Sequence, residues 1–316
     1  MTIAVTLALS SLLLAVVAPS VLHDPRVATV RPTVLLATWA ASMTSFTILL
    51  GSAVVVAAWP RHAPAEGIAE VVLSCLARLT HAITPWIDDT ITMTGAVALV
   101  VVSARSTRTV RDHVARRARA TEKHADTVRI VGRRDALVDT VWLPHPVPLA
   151  YSIGGRAGFV VATEGLKTHL SAREIDAVMA HERAHLSGRH HRVLIVTTAL
   201  ARALPMVPLF ARAPAAVASL LEMAADRVAV TATDAATVRS ALVRVASFAS
   251  DTPAGSLALA GTALAERLVH LDSVRSSDEG RSRLRCAVAA TSTFLVPVAA
   301  SGMGVFLVTS GFCALI

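Results

Sequence analysis

Two histidines and a glutamate stand at a spacing suited to binding and using a metal ion. The sequence reads His181-Glu182-Arg183-Ala184-His185, and residues four apart on a helix project from the same face. Both imidazoles can then reach one Zn²⁺ at about 2.0 to 2.1 Å. Glu182 follows the first histidine and is placed to take a proton as water attacks a polarised carbonyl. The motif predicts a zinc site with Glu182 as the general base of a hydrolysis.

The residues before the motif predict the helix that it needs. Ser171-Ala-Arg-Glu174 is a capping box, in which each end residue bonds the backbone N–H of the other. Ile175, Val178 and Met179 continue with helical periodicity into the motif. Upstream, three short strands are predicted at 127–131 (TVRIV), 138–143 and 158–163 (GFVVAT).

A catalytic zinc ion needs a third protein ligand and a position left open for water. The stretch 218–229 (ASLLEMAADRVA) predicts a second helix with Glu222 and Asp226 on one face. Glu222 would serve as the third ligand, and Asp226 would accept a hydrogen bond from a ligand histidine. In the alternative interpretation, both acids lie on a solvated face and pair with Arg212 or Arg227.

Tyr151 and His190 are two further candidates for the substrate cleft or for binding the oxyanion of the transition state. Tyr151 is the only tyrosine, and packing or substrate contact is the favoured interpretation for it. For His190 and His191 the favoured interpretation is that they are polar residues ending the catalytic helix after Gly188, where cations suit the helix dipole.

The composition is that of a membrane protein. The 316 residues are 54% hydrophobic, 16% charged and 4% aromatic, with a mean hydropathy of +0.59, whereas soluble domains are about 25% charged. Disorder is excluded, and the spacing of Cys75, Cys286 and Cys313 predicts neither a disulfide framework nor a thiolate metal site. The net charge of +8 lies in cations beside apolar stretches, so direct nucleic-acid binding is not expected.

Apolar runs predict about four transmembrane helices. Three lie in a membrane region, 1–104, at about 3–22, 32–60 and 86–104, and a fourth is 286–316. The segment 105–285 between them is the predicted α+β zinc-peptidase domain. Within it, 193–210 is apolar, and Pro205 and Pro208 favour a helical hairpin that is buried or dips into the membrane.

The cations flanking these runs predict the topology. Arginines are dense after the third run and before the fourth, whereas the loop 61–89 carries more acids than bases. Because cations in short loops stay on the cytoplasmic side, we expect 105–285 in the cytoplasm and both termini outside. The basic run from Arg105 to Lys123 is expected to lie against anionic lipid. The predicted location is a bacterial inner membrane.

These motifs resemble the BlaR/MecR-type membrane zinc peptidases and the related HtpX and CAAX-protease group of gluzincins. The resemblance covers most of the chain, Ile3 to Ile316, and implies one Zn²⁺ held by His181, His185 and Glu222. It further implies that the stretch 148–159 (PLAYSIGGRAGF) lines the cleft and pairs with an extended substrate.

The resemblance implies an endopeptidase that cleaves a cytosolic or membrane-proximal protein. The candidate substrate is a winged-helix repressor of the BlaI/MecI type, with self-cleavage as a means of activation and a homodimer as a candidate assembly. An HtpX-like quality-control protease and a catalytically silent membrane receptor or scaffold are the alternatives. Two features depart from the BlaR/MecR pattern: the chain ends at Ile316 without an extracellular penicillin-binding domain, and it contains no S-x-x-K motif.

Overall fold

A computed structural model describes residues 2–23, 30–58, 88–135, 139–155, 158–248 and 264–272. Its helices are α1 (Thr2–Leu22), α2 (Pro32–Ala58), α3 (Asp88–Val131), α4 (Gly165–His169), α5 (Ala172–Ser187), α6 (His190–Ala203), α7 (Pro208–Ala232), α8 (Ala235–Phe248) and α9 (264–272). Its strands are β1 (Arg133–Arg134), β2 (Thr140–Leu143), β3 (Ala150–Ile153) and β4 (Phe159–Thr163). The described chain is therefore mostly helical, with one small sheet.

The first two helices are the apolar ones. Ala4–Leu22 and Pro32–Val56 are the segments of the described residues that are long and apolar enough to cross a membrane. They pack against each other and on α7, in a cluster that contains Leu14, Trp39, Phe46, Phe210 and Leu221. The two N-terminal helices therefore share one buried apolar cluster with α7.

Helix α3 corrects one predicted strand. Residues 127–131, predicted to be extended, form the last turns of this helix, and the Thr127 hydroxyl donates to the Lys123 carbonyl at 3.0 Å. Ala125 and Val128, three residues apart, are buried against the sheet. Packing at helical spacing therefore overrides the strand propensity of the β-branched residues. Helix α3 also runs without interruption through 104–105, the predicted boundary between membrane region and peptidase domain.

The sheet has the order β1-β2-β4-β3, in which β2 and β4 are parallel and the other pairs are antiparallel. The central strand β4 is buried along its whole length. Phe159 and Val161 face α3, whereas Val160 and Ala162 face α5. Strand β3 pairs only with β4 among the described strands, so its other edge is open.

The predicted capping box is present at the start of α5. The Ser171 backbone N–H donates to Glu174 at 2.8 Å, and the Glu174 backbone N–H donates to the Ser171 hydroxyl at 3.3 Å. The Ser240 hydroxyl of α8 donates to the same carboxylate at 2.6 Å. The cap therefore fixes both the first residue of the helix and its contact with α8.

Four helices meet beside the site. Ala177 of α5, Ala229 of α7, Val238 of α8 and Leu271 of α9 form one buried cluster. The predicted helical hairpin is also present, because α6 ends at Ala203 and Pro208 opens α7. The predicted fourth span, 286–316, and the cysteines lie outside the described residues.

Candidate metal centre

Three predicted ligands converge between α5 and α7. His181 and His185 lie one turn apart on α5, and their Nε2 atoms are 3.1 Å apart. Glu222 projects from α7, with one carboxylate oxygen 3.4 Å from His181 Nε2 and the other 3.4 Å from His185 Nε2. Within the described residues, these three side chains form the group whose donor atoms could hold a metal ion.

These distances are close to those around a tetrahedral zinc ion. Bonds of 2.0 to 2.1 Å at tetrahedral angles place neighbouring donor atoms roughly 3.3 Å apart. The two histidine nitrogens are 3.1 Å apart, and each of them lies 3.4 Å from a different oxygen of Glu222. One donor atom from each of the three residues lies within 4.8 Å of the others, so a small shift of the carboxylate would complete the set. Two imidazoles and one carboxylate also leave a fourth position open, as in catalytic rather than structural zinc sites.

Asp226 orients the first histidine. It lies one turn after Glu222 on α7, its side chain is 1% exposed, and its carboxylate accepts from His181 Nδ1 at 2.9 Å. With the Nδ1 proton held there, the Nε2 lone pair of His181 points at Glu222 and His185. The solvated-face alternative is thereby excluded for Asp226.

Arg267 balances the two acids. From α9, its guanidinium donates to both Asp226 oxygens at 2.7 and 2.8 Å and contacts Glu222 at 3.2 Å. Two carboxylates on one turn of a half-buried helix repel each other, and a guanidinium fork can contact both. No sequence pattern pointed to Arg267. The alternative interpretation had paired these acids with Arg212 or Arg227.

The carboxylates beside His181 favour positive charge on this histidine. Burial lowers the pKa of His181, but hydrogen bonds to Asp226 and Glu222 outweigh burial and raise that pKa to about 9. Burial lowers the pKa of His185, and the charge on His181 adds to this effect. Without a metal, a proton on His181 therefore supplies the charge that the carboxylates require; a bound cation would displace it.

Glu182 faces the open edge of the sheet. It accepts a hydrogen bond from the side chain of Ser152 on β3, and burial raises its carboxyl pKa above the usual range. A carboxylate whose pKa is raised is a stronger base than a solvated one. Ser152, which lies within the predicted cleft stretch, was not singled out by sequence analysis.

His190 lies behind a predicted ligand. Its Nδ1 is 2.9 Å from His185 Nδ1, on the side of the ring away from Glu222. Burial lowers its pKa, and it stands at the first position of α6. The contact places His190 as an orienting partner of His185 rather than as a group facing an oxyanion.

Tyr151 faces away from the centre. Successive side chains of a strand point to opposite faces, and on β3 it is Ser152 that faces α5. Tyr151 packs with Val161 on the α3 side, and its hydroxyl lies 3.0 Å from Nε2 of His124. The register of β3 therefore assigns Tyr151 to packing, and the oxyanion role that was considered for it has no support in this geometry.

A cavity of about 260 Å³ opens beside the ligands. Its polar lining is His181, Glu182, Glu222, Asp226 and Arg267, and the rest of its lining is apolar, with Ala150 of β3, Val178 of α5 and Val245 of α8 among the residues. An apolar concavity with a few convergent polar groups is the usual form of a substrate site.

A paired histidine ligand set with an acid one residue away, on a capped helix beside an open strand, is the arrangement of a metallohydrolase. The sequence model of peptidase family M48 matches residues 105–279, and the chain belongs to this family. Its members are metallopeptidases, typically zinc-dependent. Neither the curated proteins nor the solved structures include a significant match. The match is to the family as a whole and does not single out the BlaR/MecR type.

Proposed function

We propose that this protein is a membrane-anchored zinc endopeptidase that cleaves an extended segment of a protein substrate. The observation that carries the proposal is the convergence of His181, His185 and Glu222, whose donor atoms lie within 4.8 Å of one another. Zn²⁺ in that position would polarise the scissile carbonyl and make the attacking water more acidic.

The protein groups have separate tasks in this reaction. Glu182, whose pKa is raised and which lies beside the ligands, takes the proton of the attacking water and delivers it to the leaving amine. Asp226 orients the ring of His181, and His190 orients the ring of His185, each through a contact with the Nδ1 atom. Arg267 keeps both acids of α7 ionised and in place.

The substrate binds as an additional strand. The open edge of β3 offers backbone donors and acceptors next to Glu182, through Ser152. An extended peptide that pairs with this edge gains affinity from main-chain hydrogen bonds, and its side chains enter flanking pockets. The substrate must therefore present an exposed extended stretch, as an unfolded segment or an edge strand does.

The membrane anchor is proposed from the apolar helices. Helices α1 and α2 have the length and hydropathy of spans, with 28% and 39% of their most apolar windows buried within the protein. The basic stretch of α3 after Arg105 then favours a cytoplasmic active site by the positive-inside rule. The spans proposed at 86–104 and 286–316 would complete a multi-pass protein with both termini outside.

Two classes of substrate are proposed from the resemblance to known families. A winged-helix repressor makes the protein a signalling protease, whereas damaged membrane proteins make it an HtpX-like quality-control enzyme. Quantitative proteomics of a strain carrying Glu182→Gln separates the two. One stabilised repressor supports signalling, and broad accumulation of membrane proteins supports quality control.

The zinc proposal is tested by elemental analysis of the detergent-purified protein. We expect about one zinc per chain in the wild type and in Glu182→Gln, a sharp fall in His185→Ala and Glu222→Ala, and no cleavage of casein by Glu182→Gln. A folded wild type that binds no zinc after reconstitution would refute the proposal. A receptor or scaffold would then be the better interpretation.

A further inference from the structure

A second and larger cavity lies at the other end of the open strand. Its volume is about 680 Å³, and it is bounded by the β3–β4 turn, the C-terminal half of α5 and the first turn of α6. Arg183, Arg189 and Arg192 line it together with His191. It is separate from the apolar cavity at the metal ligands, which shares none of these residues.

The cavity carries uncompensated positive charge. The three guanidinium groups are exposed, and none of them forms an ion pair with a carboxylate of the described residues. Asp139 also lines the cavity, but its carboxylate pairs at 3.5 Å with Arg134, which is not a lining residue. Three arginines around one concavity repel each other, and an anion placed between them removes that repulsion.

The backbone is strained where one of these arginines sits. Arg189 has φ 52° and ψ 35°, which is the left-handed conformation. Among the described residues, it is the only non-glycine residue with a positive φ. Glycine or asparagine usually takes this position after a helix, and Gly188 lies just before it with ordinary helical angles. Strain of this kind persists at functional sites when the side chain is needed there.

Glycines shape the opposite wall. A Cβ on Gly154 would lie 2.3 Å from ring carbons of His191, and Gly155 has φ +152°. Only glycine permits this close approach and this backbone conformation. Gly154 is therefore in close contact with His191 of α6 on this side of the cavity.

The two cavities lie at opposite ends of strand β3, and the cationic one also extends under β4 at Val160. Ala150 at one end of β3 lines the apolar cavity, Gly154 just beyond the other end lines the cationic one, and Ser152 contacts Glu182 between them. At about 3.3 Å per residue, the cationic cavity begins roughly 7 Å, or two residues, from the point of attack.

We propose that the cationic cavity is a specificity subsite that binds an aspartate or glutamate side chain of the substrate, two or three residues from the scissile bond. This inference rests on the proposed peptidase function. An acidic peptide is favoured over an anionic membrane surface because Gly154, which lines the cavity, directly follows β3, the strand on which Ser152 contacts Glu182.

The proposal is tested by binding, independently of turnover. Three fluorescein-labelled decapeptides share a central leucine and carry two glutamates before it, two glutamates after it, or glutamine at all four places. They are titrated against Glu182→Gln protein in an uncharged detergent. We expect one of the two acidic peptides to bind at least about tenfold more tightly than the glutamine peptide, as ion pairs to arginine allow.

Variants at the arginines locate the effect. Arg183→Gln with Arg192→Gln, added to Glu182→Gln, should reduce that preference to less than about twofold. Arg189→Gly should weaken it while leaving the melting temperature unchanged or higher, since the strain is relieved. Arg119→Gln on exposed α3 removes the same charge elsewhere and should leave the preference intact.

Equal affinity for all three peptides, or a preference that survives in the arginine variants, overturns the subsite. Loss of binding to phosphatidylglycerol vesicles in the double variant, without any peptide preference, assigns the cavity to lipid and also overturns it. If zinc-loaded wild type cleaves no peptide while the acidic preference holds, the peptidase proposal fails, and the cavity is a binding site for acidic peptides without a scissile bond. If the wild type cleaves peptides but shows no preference for acidic ones, the subsite proposal fails and the peptidase proposal stands.

Discussion

Replacement of Arg267 by methionine tests the electrostatic balance of the centre most directly. Methionine keeps much of the length and apolar contact of arginine but removes the bonds of 2.7 and 2.8 Å to Asp226 and the contact of 3.2 Å with Glu222. Asp226, at 1% exposure, then keeps only the bond from His181. Breaking a buried ion pair costs about 3 to 5 kcal/mol, because one charge stays buried and unpaired.

The lower part of that range applies here, since Arg267 is 18% exposed and His181 still donates to the acid. A loss of about 3 kcal/mol lowers the melting temperature of a domain of 150 to 250 residues by about 6 to 12 °C. The measurement is thermal unfolding in detergent, followed by tryptophan fluorescence at a fixed scan rate with a chelator present.

Arg239→Met is the matched control. Arg239 of α8 also pairs with an acid of α9, Asp272, but both side chains are exposed, at 47% and 68%. Exposed pairs contribute about 0 to 1 kcal/mol. If Arg267→Met shifts the melting temperature no further than Arg239→Met, the reasoning about the buried acids is refuted. The double variant Asp226→Asn, Arg267→Met should lose less than the sum of the single variants.

Three further predictions concern zinc retention, acid stability and the β3–β4 turn. Asp226→Asn should weaken zinc retention about 10- to 100-fold in competition with a chelator, as loss of a ligand's orienting partner does; unchanged retention would contradict the orienting role. The hydroxyl of Ser240 and the capping bonds hold the pKa of Glu174 below its usual range despite burial. The ionised carboxylate therefore stabilises the folded protein fully above the ordinary pKa of 4.5, and this stabilisation is lost as the pH falls through the lowered pKa. The melting temperature of wild type should exceed that of Glu174→Gln by a constant margin above about pH 5 that shrinks in stronger acid, and a margin independent of pH would count against this. Gly154→Ala should lower the melting temperature, because the new methyl group would overlap His191; a thermal scan that matches wild type would show that the turn yields freely.

Local sequence determines the parts of the site that were predicted correctly. The capping box, the position of the motif on α5 and the shared face of Glu222 and Asp226 depend on residues within one or two turns. Helical spacing fixes which of these side chains neighbour each other. The sequence alone therefore sufficed for the catalytic helix and for the helix that faces it.

Contacts distant in sequence account for what was missed. Arg267 reaches Asp226 across 41 residues, and only the docking of α9 through Leu271 brings them together. The face on which Tyr151 lies depends on the register of β3 against β4. The helix over 127–131 depends on burial of Val128 against the sheet. None of these has a signal within its own stretch of sequence.

Helix α7 connects the apolar N-terminal helices to the candidate metal centre. Leu221 packs in the cluster with α1 and α2, and the next residue, Glu222, is the ligand from this helix. A helix resists bending, and a carboxylate sits roughly 6 Å from its axis, so a 20° turn of α7 displaces it by about 2 Å. Zinc sites tolerate only about 0.2 Å in bond length. A rotation of α7 imposed through α1 and α2 would therefore also move the Glu222 carboxylate relative to the two histidines.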